Sequence, residues 1–292
     1  MGLRLRRISV FDAVNLLLLL VLCLAVVIPF WYMLTVSLSP VSESLGGRFY
    51  LIPEQLNFEA YRYLFSTDRF VRSIGNTVYI TVVGTAVNLL VSITLAYALS
   101  KKTLPGRKLM LLMMLFTMVF SGGLIPKYLL IKSIGLLDSY WALILPGATN
   151  AFTVLVMKTF FQSLPESLDE AARIDGAGEP RILLSVVIPL SMPIIATFSL
   201  FFMVGHWNEF FGAIIYLSDN AKWPIQVLLR LMVIAGEANI ASENNLDFEL
   251  ASKVGDNVKM AAIIVAMIPI VVVYPFLQKH FAKGAMLGSI KE

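Results

Sequence analysis

The sequence predicts an all-α integral membrane protein with six transmembrane helices and both termini in the cytoplasm. Three observations carry this. Hydrophobic residues make up 58% of the chain and charged residues only 14%, with a mean hydropathy of +0.80. Soluble domains hold about 45–50% apolar and about 25% charged residues, so this much apolar surface does not fit inside one water-soluble core. Apolar runs long enough to cross a bilayer recur from end to end, and lysine and arginine cluster in alternate connections. A membrane span leaves no backbone polar group unpaired only when it is helical or part of a closed barrel, so helices are expected.

Six runs reach the length of about 20 residues a span needs: about 13–38, 76–100, 109–131, 138–161, 186–217 and 259–279. The first follows Arg4, Arg6 and Arg7 like a secretory signal. It is longer than a signal core, and Pro29, Phe30, Trp31 and Tyr32 stand where a small-residue cleavage site would be needed, so it reads as a retained span. Cys23, the single cysteine, sits among leucines and excludes an intrachain disulfide. The whole chain, 1–292, reads as one transmembrane domain.

Orientation follows from the short basic connections. Arg4, Arg6 and Arg7, then Lys101, Lys102, Arg107 and Lys108, then Lys279, Lys283 and Lys291 all fall on one side of an even topology. The net charge of +4 therefore reads as membrane topology and contact with lipid rather than nucleic-acid binding. The long connections 39–75 and 218–258 fall outside. In the first, Phe58, Tyr61, Leu64 and Phe65 have the spacing of a short amphipathic helix at the outer surface, or of a plain loop. Gly122, Gly123 and Pro126 fit either a break in span three or the start of a loop.

The connection 162–185 carries the most information. Ser163 and Glu166 have capping-box spacing, Pro165 suits a first turn, and Glu166, Asp169 and Glu170 favour a helix N-terminus. Gly176 and Gly178 end the helix and Pro180 opens another. Leu164, Leu168, Ala171 and Ala172 share one face, with Glu170, Arg173 and Asp175 around it. Periodicity alone fits a docking peg for a cytoplasmic protein and an ordinary amphipathic surface helix equally.

Glu170-Ala171-Ala172, then Gly176, then Val186-Val187-Ile188-Pro189 resembles the EAA signature of the membrane subunits of ATP-binding-cassette importers. That signature is a Glu-Ala-Ala triplet, a glycine four positions after it and a closing Ile-x-Leu-Pro; Val186 and Ile188 depart from it conservatively. The flanking Arg173-Ile174-Asp175-Gly176-Ala177 and Pro189-Leu190-Ser191-Met192-Pro193 are similar to the maltose-type carbohydrate branch. So are Asn76-Thr77, Ala96-Tyr97-Ala98-Leu99, Pro105-Gly106-Arg107, Trp207-Asn208-Glu209-Phe210, Phe276-Leu277-Gln278-Lys279 and Gly284–Ser289.

The resemblance implies the type I importer permease architecture and a share in a translocation pathway for carbohydrates, with oligosaccharides foremost. It implies a second homologous permease subunit, two cytoplasmic ATPase subunits that hold ATP and Mg, an extracytoplasmic solute-binding protein, and the inner membrane of a prokaryote. Contact with the ATPase falls to Glu166, Asp169, Glu170, Ala171, Ala172, Arg173, Asp175, Gly176 and Ala177. The long outer loops and Gly46-Gly47 resemble the subgroup that handles oligosaccharides, some of them acidic uronides. An importer of the same build for another solute (an amino acid or polyamine) and an ion-coupled carrier are the alternatives.

The residues agree in part on their own. No G-x-x-x-x-G-K-[ST] phosphate loop occurs, so ATP is expected on a partner, with no cofactor and no catalytic residue on this chain. The central parts of the spans lack Asp, Lys and Arg, which mark ion and proton routes. An intramembrane enzyme would need a nucleophile–base or metal pair, and His206 with Glu209, two ligands on one turn, supplies neither. At about 1.5 Å per residue His206 stands about 26 Å above Pro189 in a straight span. Trp207 then belongs to an interfacial belt, or Asn208 and Glu209 line the pathway and hydrogen-bond sugar hydroxyls. Trp141, Phe152, Phe198 and Phe202 either stack on sugar rings or pack against neighbouring helices, and Phe198, Phe202 and Trp207 join Asn208 and Glu209 as pathway candidates.

Overall fold

The computed structural model describes residues 9–40, 52, 53, 55–237 and 255–289, with 235–237 and 276–289 given by backbone alone. Those residues form helices joined by short turns. In chain order they are α1 (Val10–Ser37), α2 (Glu59–Ser66), α3 (Asp68–Ser100), α4 (Arg107–Val119), α5 (Leu124–Ser133), α6 (Trp141–Ile144), α7 (Ala151–Gln162), α8 (Glu166–Ile174), α9 (Glu179–Leu190), α10 (Met192–Trp207), α11 (Phe211–Tyr216), α12 (Ile225–Glu237) and α13 (Asp256–Ser289). The Gly46-Gly47 pair lies outside the described residues.

Among the described residues three helices are long and apolar enough to cross a membrane: α1, α3 and Asp256–Pro275 of α13. Two bent pairs add a span each if counted together: Trp141–Gly147 with α7, at 53°, and α9 with α10, at 84°. The straight runs expected at 138–161 and 186–217 are therefore broken helices. Pro146 and Gly147 close a 3-10 turn, and Asn150 restarts the helix by accepting the Thr153 N–H at 2.8 Å. Between Pro189 and Pro193, which donate no N–H, Ser191 shares its own N–H between the Val187 and Ile188 carbonyls, each at 3.0 Å. The run 109–131 also divides: α4 ends at Val119 and α5 begins after Gly123, whose φ of +79° only glycine adopts freely. At about 1.5 Å per residue the thirteen residues of α4 reach about 20 Å, short of a bilayer core.

The chain divides into two compact units, Met1–Thr67 with Leu229–Ala266, and Asp68–Leu228 with Met267–Glu292. In the first, α1 is apolar from Leu16 to Leu34 and scarcely packed until its end, where Thr35, Val36 and Ser37 are buried. There Ser37 and Tyr61 share a hydroxyl hydrogen bond of 2.7 Å, and the Asn57 N–H donates to Leu38. Thus the segment at 58–65 is a helix, with Ala60 and Leu64 turned inward.

The second unit is organised around α3. Its inner face carries Ser73, Thr77, Thr81, Gly84, Thr85, Asn88 and Ser92, small or polar at helical spacing, which lets neighbouring backbones approach closely. Below this seam Ile93, Ala96, Tyr97 and Leu99 join Val154, Met157 and Phe161 of α7, Ile182 and Val187 of α9, and Phe198 and Phe202 of α10 in one core.

Candidate functional site

The 162–185 connection folds as a surface helix held at both ends. Ser163 does not form the expected capping box: its hydroxyl donates back to Phe160, because it closes α7 rather than opening α8. Pro165 takes the position before α8 instead. At the far end Gly176 adopts φ +78°, its N–H bonds the Arg173 carbonyl at 3.0 Å, and the Ala177 N–H bonds Ala172 at 2.9 Å. This pairing is a Schellman closure, which requires a left-handed residue at Gly176 and satisfies two otherwise orphaned carbonyls.

The closure fixes which face is outward. Leu164, Ala172 and Ala177 lean on the core, while Glu166, Leu168, Glu170, Ala171, Asp175 and Gly176 are exposed. Ile174 is 87% exposed, an apolar side chain left uncovered by the described residues. The alanines therefore split, Ala172 inward and Ala171 outward.

The basic turn after α3 meets the acidic face of α8. Lys101 donates to Asp169 Oδ1 at 2.7 Å, and its ammonium stands 4.7 Å from the centre of the Tyr97 ring. Lys102 pairs with Glu166 at 3.0 Å, and Arg173 joins Asp169, one turn back, to Glu179. Tyr97 donates its hydroxyl to Glu179 Oε2 at 2.5 Å, and Gln162 donates to the Ser100 carbonyl at 2.9 Å. Burial works to raise the Asp169 carboxyl, but the hydrogen bonds and charges of Lys101 and Arg173 outweigh it and hold it below its ordinary range. A cleft of about 490 Å³ runs beside this network between the Lys101–Thr103 turn and α8.

The second cluster lies at the far end of α10. His206 is buried; its Nε2 lies 3.2 Å from Asn88 Oδ1, and Asn88 Nδ2 donates to the Gly147 carbonyl at 2.9 Å. Ser92 and Thr149 pair their hydroxyls at 2.7 Å. With an 84° bend at its base, α10 does not carry His206 along the straight axis from Pro189 that sequence arithmetic assumed. Trp207 is 6% exposed and lines an apolar cleft of about 210 Å³ with Val78, Leu200 and Pro269. Phe198 and Phe202 belong to the core and meet each other's rings at 6.4 Å. Both rings are buried among core side chains. Asn208 and Glu209 fall in the short break after α10. Asn208 donates to Val204 and accepts from Gln226, and Glu209 accepts the Gly212 N–H at 2.8 Å at the start of α11.

A third set joins turns distant in sequence. Asp138, at φ +56°, accepts from Lys222 Nζ at 2.6 Å and from the Ser218 and Asp219 N–H groups, while Asn76 links Tyr140 to the Ala221 carbonyl. Sequence reading missed both this clasp and the Asn88 seam. Each joins residues over fifty positions apart, which no local spacing reveals.

Residues 80–286 match the family described as the binding-protein-dependent transport system inner membrane component. The chain belongs to that family. Among similar proteins, the polygalacturonan/rhamnogalacturonan transport system permease protein YtcP of Bacillus subtilis is 48% identical over 281 residues, covering 96% of this chain and 98% of that protein. Protein LplC of Bacillus subtilis is 46% identical, covering 97% and 95%. The crystal structure of a bacterial ABC transporter involved in the import of the acidic polysaccharide alginate contains a chain 34% identical, with TM-score 0.85, covering 96% of this permease and all of that chain. The EAA-type segment, residues 170–189, falls inside the matched region, as do Tyr97, Lys101 and the Asn88–His206 pair. The permease is thus an inner-membrane transport component.

Proposed function

We propose that this chain is a translocation subunit of an ATP-driven, binding-protein-dependent importer of oligosaccharides, and that its cargo is an acidic, uronide-containing one. The observation that carries the reading is likeness along nearly the whole chain to a permease named for polygalacturonan and rhamnogalacturonan, at 48% identity. A fold match to a component of an alginate importer points the same way. Six spans with both termini cytoplasmic, the two bent pairs and the divided third run each counted as one, complete the topology. The chain pairs with a second permease subunit, and two ATPase subunits carry ATP and Mg.

In this scheme α8 is the coupling helix. Glu166, Asp169, Glu170, Ala171, Ala172, Arg173, Asp175, Gly176 and Ala177 form the segment that seats in the ATPase; exposed Ala171 and Ile174 supply its apolar tip. Closing of the ATPase pair draws the coupling helices together and opens the cavity outward, and hydrolysis resets it. Asn208 and Glu209, in the break after α10, are the foremost substrate-pathway candidates, with Phe198, Phe202 and Trp207 on the same helix behind them.

The test is uptake of a labelled oligogalacturonide into proteoliposomes that hold the permease pair, its ATPases and a loaded binding protein. Accumulation is expected only with ATP. Stimulation of ATP hydrolysis by an amino acid or polyamine instead would favour another cargo, and uptake without any ATPase would favour an ion-coupled carrier.

A further inference from the structure

Covalently, α8 connects to α10 by a long detour: Gly176, Gly178, the turns of α9 and then the 84° bend at Ser191. Within α9 the turns at Leu183–Val187 are π-helical, wider than the α-helical turns on either side. Movement of α8 passed along that path alone must cross two glycines and the wider π-helical turns before it reaches the elbow. The side-chain contacts offer a shorter path. Lys101 to Asp169 and Tyr97 to Glu179 join the two ends of the 166–179 segment to the last turn of α3. By contrast with α9 and α10, α3 runs unbroken for 33 residues, and its seam holds both the α6–α7 break, through Asn88 and Ser92, and α10, through His206.

From this we infer that the end of α3, Tyr97 and Lys101, is a clamp through which movement of the coupling helix enters the transmembrane bundle. Tyr97 and Lys101 are positioning residues: neither belongs to the exposed tip of α8, and each holds an acid on the segment that moves. The clamp suits a moving part. Lys101 and Asp169 are 23% and 31% exposed, so solvent screens the pair and it is a directional tether rather than a large source of stability. Tyr97 adds what an ion pair lacks, a rigid ring buried in the core with its hydroxyl fixed on Glu179. Two tethers at different points along one short segment resist its rotation as well as its withdrawal. The inference rests on the reading of α8 as the coupling helix.

The experiment measures cargo moved per ATP hydrolysed in proteoliposomes of the whole importer, with a labelled oligogalacturonide. Tyr97→Phe with Lys101→Gln removes both tethers and leaves the ring and the α8 surface in place; the Lys102–Glu166 pair that remains is 77% and 80% exposed, so solvent screens it and it holds little. The complex is expected to assemble and hydrolyse ATP while cargo per ATP falls about fivefold or more, the low end of coupling between linked sites. Lys101→Arg, which keeps the charge, is expected to retain most of the yield. An unchanged yield in the double variant overturns the clamp alone, as does loss of assembly, since the clamp calls for an intact but idling complex. Absence of ATP-driven uptake in the wild type would instead strike the reading of function and remove the clamp with it.

Discussion

A methyl group added to Gly84 would lie 2.5 Å from Nε2 of His206. The absence of a side chain at this one position of α3 is what admits the imidazole of α10 to its hydrogen bond with Asn88. Gly84→Ala therefore forces the two helices apart or turns the ring off Asn88, at a cost of about 1–3 kcal/mol. Thermal unfolding of the detergent-purified permease complex should show a lower Tm, and Gly84→Ala with His206→Ala should recover part of it. Equal losses in the single and double variants would contradict the contact.

Gly176 is held at φ +78° by the Schellman closure. In Gly176→Ala the left-handed conformation costs about 1–2 kcal/mol, confined to the end of α8. Membrane insertion should survive while co-purification of the ATPase weakens. Glu170→Ala is expected to weaken it also, through the exposed face. Full association in both variants would remove α8 from the interface.

Ile174 provides a test of sidedness and of cover. With Cys23→Ser as background, Ile174→Cys places one thiol where the side chain is 87% exposed. A membrane-impermeant maleimide should label it in inside-out vesicles, and bound ATPase should protect it. Labelling from the outer side of intact cells would reverse the proposed topology.

The Asp138 clasp should respond to acid. The hydrogen bond from Lys222, together with the Asp219 and Ser218 N–H groups, holds the Asp138 carboxyl below the ordinary 3.8. A depressed carboxylate stabilises the fold above its unfolded value and loses that contribution as pH falls through the folded one. The clasp should therefore be flat through neutral pH and release only below 3.8. Asn tolerates the left-handed backbone, so Asp138→Asn should lose the ion pair at neutral pH without straining the turn, and its unfolding curve should lack that acid limb.

Much of the architecture was legible because it rests on local chemistry. The apolar runs located the helices, Gly176 announced the end of α8, and Gly122-Gly123 marked the division of the third run. The breaks at Pro146 and Ser191 were less visible, since apolar composition runs straight through both and hydropathy does not sense direction. At the site, the EAA-type residues stood out as a motif, whereas their tethers did not. Lys101 and Lys102 read only as topology signals, although their opposition to Glu166, Asp169 and Glu179 was a charge pattern open to reading. Asn88 and His206 gave no such hint, because one buried amide in an apolar run has its meaning only from what it faces.

The angle at Ser191 has a mechanical consequence of its own. Two rods joined nearly at right angles act as a crank: twisting one about its axis swings the other through an arc. The sixteen residues of α10 make an arm of about 24 Å, so a roll of about 10° in α9 would sweep its tip by about 4 Å. That gain exists only while the elbow keeps its angle, and the single amide of Ser191 divided between two carbonyls, flanked by prolines, is the part that sets it.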